Sequence, residues 1–176
     1  MIRGEQTNLR AVERHDAQDL YDLLNDEGTL LGWGMTGDVR SQARIQSDIE
    51  GWLDEEHRQS RPTALVIETL DRRFAGLVLL RPGPETQRMV ELSLAIAPTE
   101  RGQGIAMDAL ATVLDIAFDE WNLERVQLRC EAGNAQAIAL YERIGLVHEG
   151  TLRGATYTGG AYTDQLLYAR IRSDAR

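Results

Sequence analysis

Seven segments of the chain carry the β-branched apolar runs, or the alternation of apolar and polar residues, that are typical of β-strands. Residues 89–97 alternate most clearly, because every second residue from Val90 to Ile96 is apolar whereas Glu91 and Ser93 fall on the opposite face. Gly159 and Gly160 suit a tight hairpin turn between the last two segments. The predicted strands are 9–14, 64–68, 74–80, 89–97, 125–130 and a pair that ends at residue 171.

Four helices are predicted from apolar residues that recur every three or four positions. Their ranges are 16–24, 41–58, 104–121 and 134–145. Asp16 and Asn134 are residue types that cap helix N-termini, and Gly145 is placed to end the last helix in a left-handed conformation. Residues 27–38 contain four glycines and are predicted to form a loop.

The order of these elements predicts the fold class. A strand and two helices are followed by three strands, a helix, a strand, a helix and two strands. The third and fourth helices connect strands of one run, which requires crossovers and therefore a sheet with parallel and antiparallel neighbours. We expect an α/β (α+β) protein whose single domain covers residues 1–176, with one mixed central sheet of about seven strands and helices on both faces.

The composition favours an ordered cytoplasmic protein. Apolar residues make up 43% of the chain and prolines number four. The apolar runs are far shorter than the roughly 20 residues that span a bilayer, and the first residues do not resemble a secretory signal. A single cysteine excludes an internal disulfide and fits a reducing compartment. We therefore expect neither a membrane nor a metal among its partners.

The charged residues exclude several classes of ligand site and of catalytic chemistry. A formal net charge of −9 disfavours broad contact with nucleic acid and is compatible with a cationic substrate such as an amine, although solubility is the simpler explanation. All 19 basic residues are arginine, which excludes a Gly-Lys-Ser/Thr phosphate loop and Schiff-base chemistry. A dinucleotide GxGxxG motif also fails, since Met107 stands where its third glycine belongs.

Residues 101–106 form the most informative segment, because they join a strand to a long helix and contain two glycines. A helix N-terminus offers unpaired N–H groups and a partial positive charge, and glycines let an anion approach the backbone closely. The order Arg-x-x-Gly-x-Ala resembles the acetyl-CoA pyrophosphate loop of the GNAT (GCN5-related) N-acetyltransferases. By this resemblance the pyrophosphate binds at Arg101, Gly102, Gln103, Gly104, Ile105 and Ala106.

A second segment supports the same family. Residues 134–146 read NAQAIALYERIGL and resemble the GNAT pattern Asn-x-x-(Ser/Ala)-x-x-Leu-Tyr-Glu-Lys-x-Gly-Phe. The C-terminal residues 160–170 are most similar to the branch of ribosomal-protein N-terminal acetyltransferases. That branch tends to have a serine where this chain has Ala137, and it usually lacks a tyrosine at position 141. These two departures argue against a ribosomal-protein substrate and leave a small-molecule amine open as the acceptor.

The resemblance implies a site in which strand 89–97 separates from its neighbour and pairs with the pantetheine arm through Leu94, Ala95 and Ile96. Asn134 would lie near that arm. Tyr141, two helical turns after Asn134, would protonate the leaving thiolate, with a packed aromatic residue as the alternative. Glu91 would act as the general base, and the alternative is a glutamate that orients the substrate or pairs with an arginine.

Four further assignments are less specific. Trp33 and Ser93 are candidates for the acceptor wall, and ordinary packing explains the tryptophan equally well. Cys130 is expected to be structural rather than an acetylated intermediate. Three arginines are candidates for the 3′-phosphate of CoA, with surface positions as the alternative: Arg129, Arg143 and Arg153.

Together these features predict a cytoplasmic enzyme that transfers the acetyl group of acetyl-CoA directly to a primary amine, on a protein N-terminus or a small molecule, without a metal. Two rivals stay open. The protein could transfer a longer acyl group, or it could be a non-catalytic acyl-CoA sensor. Family resemblance also allows a homodimer.

Overall fold

The computed structural model describes residues 1–59, 61–84 and 87–175. Short 3-10 turns precede α1 and α4 and follow the last strand. The helices are α1 (Ala17–Leu24), α2 (Glu27–Gly32), α3 (Gln42–Gln59), α4 (Ile105–Asp119) and α5 (Ala135–Arg143). The strands are β1 (Ile2–Arg3), β2 (Thr7–Ala11), β3 (Ala64–Thr69), β4 (Phe74–Pro82), β5 (Met89–Ile96), β6 (Arg125–Glu131), β7 (Val147–Thr158) and β8 (Ala161–Ile171).

One mixed sheet contains all of these strands, in the order β1-β2-β3-β4-β5-β6-β8-β7. Its neighbours are antiparallel except β5 and β6, which run parallel at its centre. The predicted α+β class is confirmed, with eight strands instead of about seven. The additional strand β1 has two residues, which is too short for an alternation to register.

The prediction of a loop over residues 27–38 was wrong for its first half, where α2 forms. Asp26 caps this helix, because its carboxylate accepts the N–H of Thr29 at 2.8 Å. Gly28 and Gly32 lie inside the helix and lower its intrinsic propensity, so the helix depends on its cap and on burial of Leu30.

Other predicted boundaries hold within a few residues. Asn134 caps α5 by accepting the N–H of Ala137 at 3.1 Å, and Gly145 ends it with a φ of 84°. Gly159 and Gly160 form the hairpin turn with φ of 59° and 85°. Asp16 stands at the N-cap of α1, but its side chain makes no capping bond there.

The two faces of the sheet pack against different helices. One face, hereafter the α4/α5 face, contributes Val90, Leu92 and Ile96 to an apolar cluster with both of those helices. The opposite α1/α3 face contributes Ala95 to a second cluster with α1 and α3. Because β5 alternates, Glu91 and Ser93 belong to the α1/α3 face with Ala95.

Arginines neutralise several of the buried carboxylates. Arg10 donates to Asp16 at 2.6 Å and to Glu68 at 2.7 Å, and Arg73 pairs with Glu100. All three carboxylates are buried, so each guanidinium offsets the cost of removing a negative charge from water. Among the described residues, no helix combines the length and apolar character needed to cross a membrane.

Candidate active site

A gap opens in the middle of the sheet between the two parallel strands. β5 and β6 pair from Met89 and Arg125 as far as Leu92 and Leu128. Beyond that point β5 continues to Ile96 on β4, and β6 continues on β8, without pairing to each other. The backbone edges that face each other across this gap are therefore not joined by a strand–strand ladder.

Two carbonyl groups of β5 are turned into the gap. The carbonyl of Leu94 accepts the indole N–H of Trp33 at 3.0 Å, and the carbonyl of Ile96 accepts Nε–H of Arg101 at 3.0 Å. Backbone groups of a strand alternate in direction, so the intervening Ala95 faces β4, where it pairs with Leu77. Of the three residues predicted to contact pantetheine, Leu94 and Ile96 direct their backbone groups towards the gap, whereas the backbone of Ala95 faces β4.

The glycine loop 101–106 lies next to the gap and begins α4. Gly102 and Gly104 have φ of 76° and 86°, a left-handed conformation that glycine adopts without strain. Residues 101–104 are exposed, and Ile105 is the first residue of the helix. The first N–H groups of α4 have no partner within the helix and can bind an anion.

The Arg101 side chain is directed away from these N–H groups. Its guanidinium pairs with Asp26 and donates to the hydroxyl of Thr29 at 3.1 Å. Burial acts to raise the pKa of Asp26, but the hydrogen bonds from Arg101 and Thr29 outweigh it and hold that pKa below its ordinary value. Arg101 thus fastens α2 to the end of β5, and the loop presents backbone amides rather than a guanidinium.

A groove of about 710 Å³ continues from the loop along α4. It lies between that helix and residues 2–6, and Gly104, Met107 and Arg143 line it. Asp108 holds the N-terminal segment in place by accepting the N–H of Glu5 at 2.9 Å. Of the three arginines considered for a CoA phosphate, Arg143 is at this groove.

Tyr141 lies on α5 at the α4/α5 face of the sheet. Its side chain is 7% exposed, and its ring packs against Tyr168 with centroids 5.7 Å apart. Burial, and to a smaller extent the nearby Cys130, raise the pKa of Tyr141 above its ordinary value of 10, so the phenol stays protonated in neutral solution. Within the described ranges no side chain or backbone group hydrogen-bonds to its hydroxyl. The group can donate a proton or a hydrogen bond to a ligand.

Cys130 lies on the same face of β6 and is buried. Burial is the main cause that raises the pKa of its thiol to about 11, with a further contribution from Glu131. A thiol with this pKa is almost entirely protonated at neutral pH and is a poor nucleophile. The position fits the expected structural role.

Glu91 lies across the sheet from Tyr141, on the α1/α3 face. Its carboxylate accepts Nε2–H of Gln127 at 3.0 Å and pairs with Arg129 and Arg81, each at 3.3 Å. The side chain is 20% exposed. The arginine pairing that the sequence left open as an alternative is present, and both carboxylate oxygens already have donors. Its role as a base stays a prediction.

Trp33 and Ser93, the two candidates for the acceptor wall, both lie at the α1/α3 face of the sheet. Trp33 follows α2, and the hydrogen bond from its indole N–H to the Leu94 carbonyl places the indole at the gap. Ser93 is half-buried beside Glu91 on the α1/α3 face. The structure brings these residues together, and their contact with an acceptor stays a prediction.

Sequence reasoning missed Glu131, the last residue of β6. This glutamate is 7% exposed and lies on the α1/α3 face, since its neighbour Cys130 occupies the other. Its carboxylate accepts the hydroxyl of Thr163 at 2.5 Å and Nε2–H of Gln165 at 3.1 Å. The available signal was a glutamate at the end of a central strand, three residues before the Asn134 cap.

The described residues contain no group of three or more histidine, cysteine or acidic side chains arranged to hold a metal ion. The site consists of the gap between β5 and β6, the exposed N–H groups of loop 101–106 and the protonated phenol of Tyr141. An elongated ligand with an anionic group at one end fits this arrangement, because the loop N–H groups that can bind the anion follow directly after the strand whose carbonyls face the gap.

Comparison with known proteins relates this arrangement to one family. The sequence profile of the acetyltransferase (GNAT) domain matches residues 6–147. Spermidine N(1)-acetyltransferase of Vibrio cholerae is 28% identical over 92% of this chain and 90% of its own. The putative ribosomal N-acetyltransferase YdaF of Bacillus subtilis is 27% identical over 97% and 94%. A crystal structure of the Vibrio cholerae spermidine enzyme with CoA and spermine superposes with a TM-score of 0.86, at 28% identity, covering 96% of this chain and 97% of that one.

Proposed function

This chain belongs to the GNAT acetyltransferase family, and we propose that its acceptor is the primary amine of a small polyamine-like cation. The protein is an acetyl-CoA-dependent N-acetyltransferase, like the relatives it matches along nearly its whole length. The observation that carries the assignment is the gap between β5 and β6 beside the exposed loop 101–106, with Tyr141 buried at its α4/α5 side.

The donor half of the site is assigned to backbone groups. The N–H groups of residues 102–106 would bind the pyrophosphate, and those of Leu94 and Ile96 would pair with the pantetheine arm in the gap. Acetyl-CoA supplies the thioester that reacts. Because Trp33 and Arg101 now bond to the two gap carbonyls, a pantetheine arm that uses these carbonyls has to displace them, whereas one that uses the strand's N–H groups does not.

Tyr141 is assigned the role of general acid. In the transfer the amine nitrogen forms a bond to the acetyl carbon, the carbon–sulfur bond breaks, and the thiolate takes a proton from the phenol. The nitrogen then loses its surplus proton, which restores the phenol of Tyr141 directly or through solvent. The raised pKa keeps that proton on Tyr141 until it is needed. Asn134 is assigned to orient the pantetheine arm from the N-terminus of α5, where it already caps the helix.

The amine must lose a proton before it attacks. Glu91 is assigned to assist this step through a water, with the arginine contacts holding the carboxylate in place. Trp33 and Ser93 are assigned to the acceptor wall on the same face. We expect removal of Glu91 to slow the reaction less than removal of Tyr141, since free amine present in solution can react without a base.

Two observations favour a polyamine over a ribosomal protein. The chain has a formal net charge of −9, which attracts a small polycation. It also has Tyr141 and Ala137 in the positions where the ribosomal-protein branch differs.

The test is thiol release from acetyl-CoA with a panel of acceptors: spermidine, a monoamine of similar length, free amino acids and peptides that begin with serine or alanine. Turnover with spermidine well above that with the peptides is expected. Preference for a peptide would overturn the polyamine assignment, and turnover only with a longer acyl-CoA would replace the donor. Acetyl-CoA binding without turnover on any acceptor would favour the sensor.

We also propose that the protein acts in the cytoplasm and forms a homodimer. The single, buried cysteine with its protonated thiol suits a reducing compartment. Sedimentation velocity of the full chain distinguishes a dimer from a monomer.

A further inference from the structure

Glu131 is the least compensated of the buried carboxylates among the described residues, because it has two neutral donors and no cationic partner. Asp16, Glu68 and Glu100 each contact an arginine. Asp108 accepts two backbone N–H groups and a hydroxyl, which together hold the N-terminal segment. Within the described part of the chain, Glu131 has only the Thr163 hydroxyl and the Gln165 amide as donors.

Two neutral donors leave a buried negative charge incompletely compensated. A carboxylate has room for about four hydrogen bonds, and a charge in a poorly solvated site needs an opposite charge or a fuller set of donors, such as the three that Asp108 has. The fold stabilises its other buried carboxylates within itself. The remaining capacity at Glu131 is therefore available to a cation that comes from outside the chain.

The position of Glu131 identifies the source of that cation. It ends the strand that forms one wall of the gap, three residues beyond the last pairing at Leu128. Its side chain lies on the α1/α3 face, with Glu91 and Ser93, whereas the adjacent Cys130 and Tyr141 lie on the other face. A ligand that approaches the gap from the α1/α3 face passes this carboxylate.

The chain backbone is also shaped around this carboxylate. Gly34, directly after Trp33, has a φ of 68°, and a β-carbon at this position would come within 2.5 Å of Oε1 of Glu131. Only glycine lets the α2–α3 connection approach so closely in that conformation. The segment that carries Trp33 therefore covers both the gap, at Leu94, and Glu131.

We infer that Glu131 binds an ammonium group of the acceptor and makes the enzyme selective for cationic amines. The inference rests on the proposed function, because it assigns the acceptor subsite of that reaction. A primary amine arrives in neutral solution mostly as an ammonium ion, and a buried carboxylate binds it by a charge-assisted hydrogen bond. Glu91 is less suited to this task, since two arginines already compensate its charge.

The first test is Glu131→Gln, which keeps the shape of the side chain and removes its charge. We expect the KM for spermidine to rise about 10- to 100-fold, the range for loss of a charged hydrogen bond, with the KM for acetyl-CoA unchanged. Glu131→Asp keeps the charge and should retain more of the spermidine affinity than Glu131→Gln. An unchanged spermidine KM in Glu131→Gln would overturn the inference.

The matched control is Asp164→Asn. Asp164 is on β8, beside the two donors to Glu131, but alternation directs its side chain to the opposite face. The substitution removes the same formal charge from the chain. It should leave the spermidine KM within about twofold, because the half-buried Asp164 carboxylate lies on the other face of the sheet and accepts the N–H of Gly154 at 2.8 Å, a bond that the amide oxygen of asparagine can also accept. An equal rise in both variants would show a general effect of net charge and would refute the subsite.

A second variant neutralises the Glu131 carboxylate without replacing Glu131 itself. Gln165→Arg places a guanidinium next to Glu131 and gives it the kind of partner that Asp16, Glu68 and Glu100 have. We expect the same loss of spermidine affinity as in Glu131→Gln, and this result is available if Glu131→Gln fails to fold. Full spermidine affinity in a folded Gln165→Arg protein would contradict the inference.

Calorimetric titration with spermidine separates this inference from the proposed function. If the wild-type protein acetylates no amine, the proposed function fails. Weaker spermidine binding by Glu131→Gln than by wild type would still establish the cation site. Equal binding by both proteins would remove it, whichever acceptor is acetylated.

Discussion

Replacement of Tyr141 by phenylalanine separates the chemical role of this residue from its role in packing. The ring packs against Tyr168, and the substitution keeps that contact. It removes only the hydroxyl, which no described residue hydrogen-bonds. The two roles therefore predict different results for the same variant.

The expected cost to stability is small. The hydroxyl has no hydrogen-bond partner among the described residues, so its loss breaks no bond within the protein, and the free energy of unfolding at neutral pH should change by less than about 1 kcal/mol. The expected cost to catalysis is large. A general acid contributes about 100- to 10,000-fold to kcat, which corresponds to about 2.7 to 5.4 kcal/mol in activation free energy.

The pH dependence provides a second check. Burial raises the pKa of Tyr141 in the folded protein above its ordinary value of 10, so the folded state holds the proton more tightly than the unfolded chain. This contribution to stability is complete below about pH 10 and is lost as the pH rises above it. Tyr141→Phe lacks the group, and its stability should fall less steeply in that alkaline range.

Three measurements decide the matter: kcat from thiol release, acetyl-CoA affinity from calorimetry, and urea unfolding at neutral and alkaline pH. A kcat that falls at least 100-fold with unchanged acetyl-CoA affinity and stability supports the acid role. A kcat within about threefold of wild type would refute it and leave Tyr141 as a packed aromatic residue.

Four further predictions concern the donor half of the site and the sheet. Cys130→Ala should keep kcat within about threefold, because a protonated thiol is a poor nucleophile; loss of turnover together with acetyl-cysteine in the wild type by mass spectrometry would contradict this. Gly104→Ala should weaken acetyl-CoA binding about tenfold in calorimetry, since its φ of 86° strains any other residue by about 1–2 kcal/mol. Arg101→Gln should affect that binding less, because the guanidinium pairs with Asp26; the reverse order would place the guanidinium on the ligand. Gly76→Ala should lower the free energy of unfolding by about 1–3 kcal/mol in urea, since its methyl group would overlap the carbonyl oxygen of Ala95, and unaltered stability would contradict that overlap.

Local patterns in the sequence were sufficient for most of the fold. The alternation in 89–97 and the helical period in 104–121 arise from burial against one face, and both elements formed where predicted. α2 was missed because its two glycines argue against a helix, while its Asp26 cap and its attachment through Arg101 depend on the tertiary structure. β1 exists only through its pairing with β2.

The site was partly predictable for the same reason. Loop 101–106 and the Asn134 cap are local and were identified from residue types. The side-chain direction of Arg101 was not, because it depends on Asp26, 75 residues away in the chain. Glu131 was also missed, since its burial results from β8 and from Gly34, neither of which is near it in sequence.

Every ion pair that neutralises a buried carboxylate in the described fold uses a guanidinium, and the 176-residue sequence contains no lysine. A guanidinium stays protonated in proteins and does not attack a thioester, whereas a lysine at Arg10 or Arg73 would bring a nucleophilic amine into the molecule. The side chains of this enzyme therefore do not compete with its acceptor. In intact-mass experiments, lysine acetylation cannot contribute to the mass of the enzyme, and reagents that label lysine side chains in a mixture leave the side chains of the enzyme unlabelled.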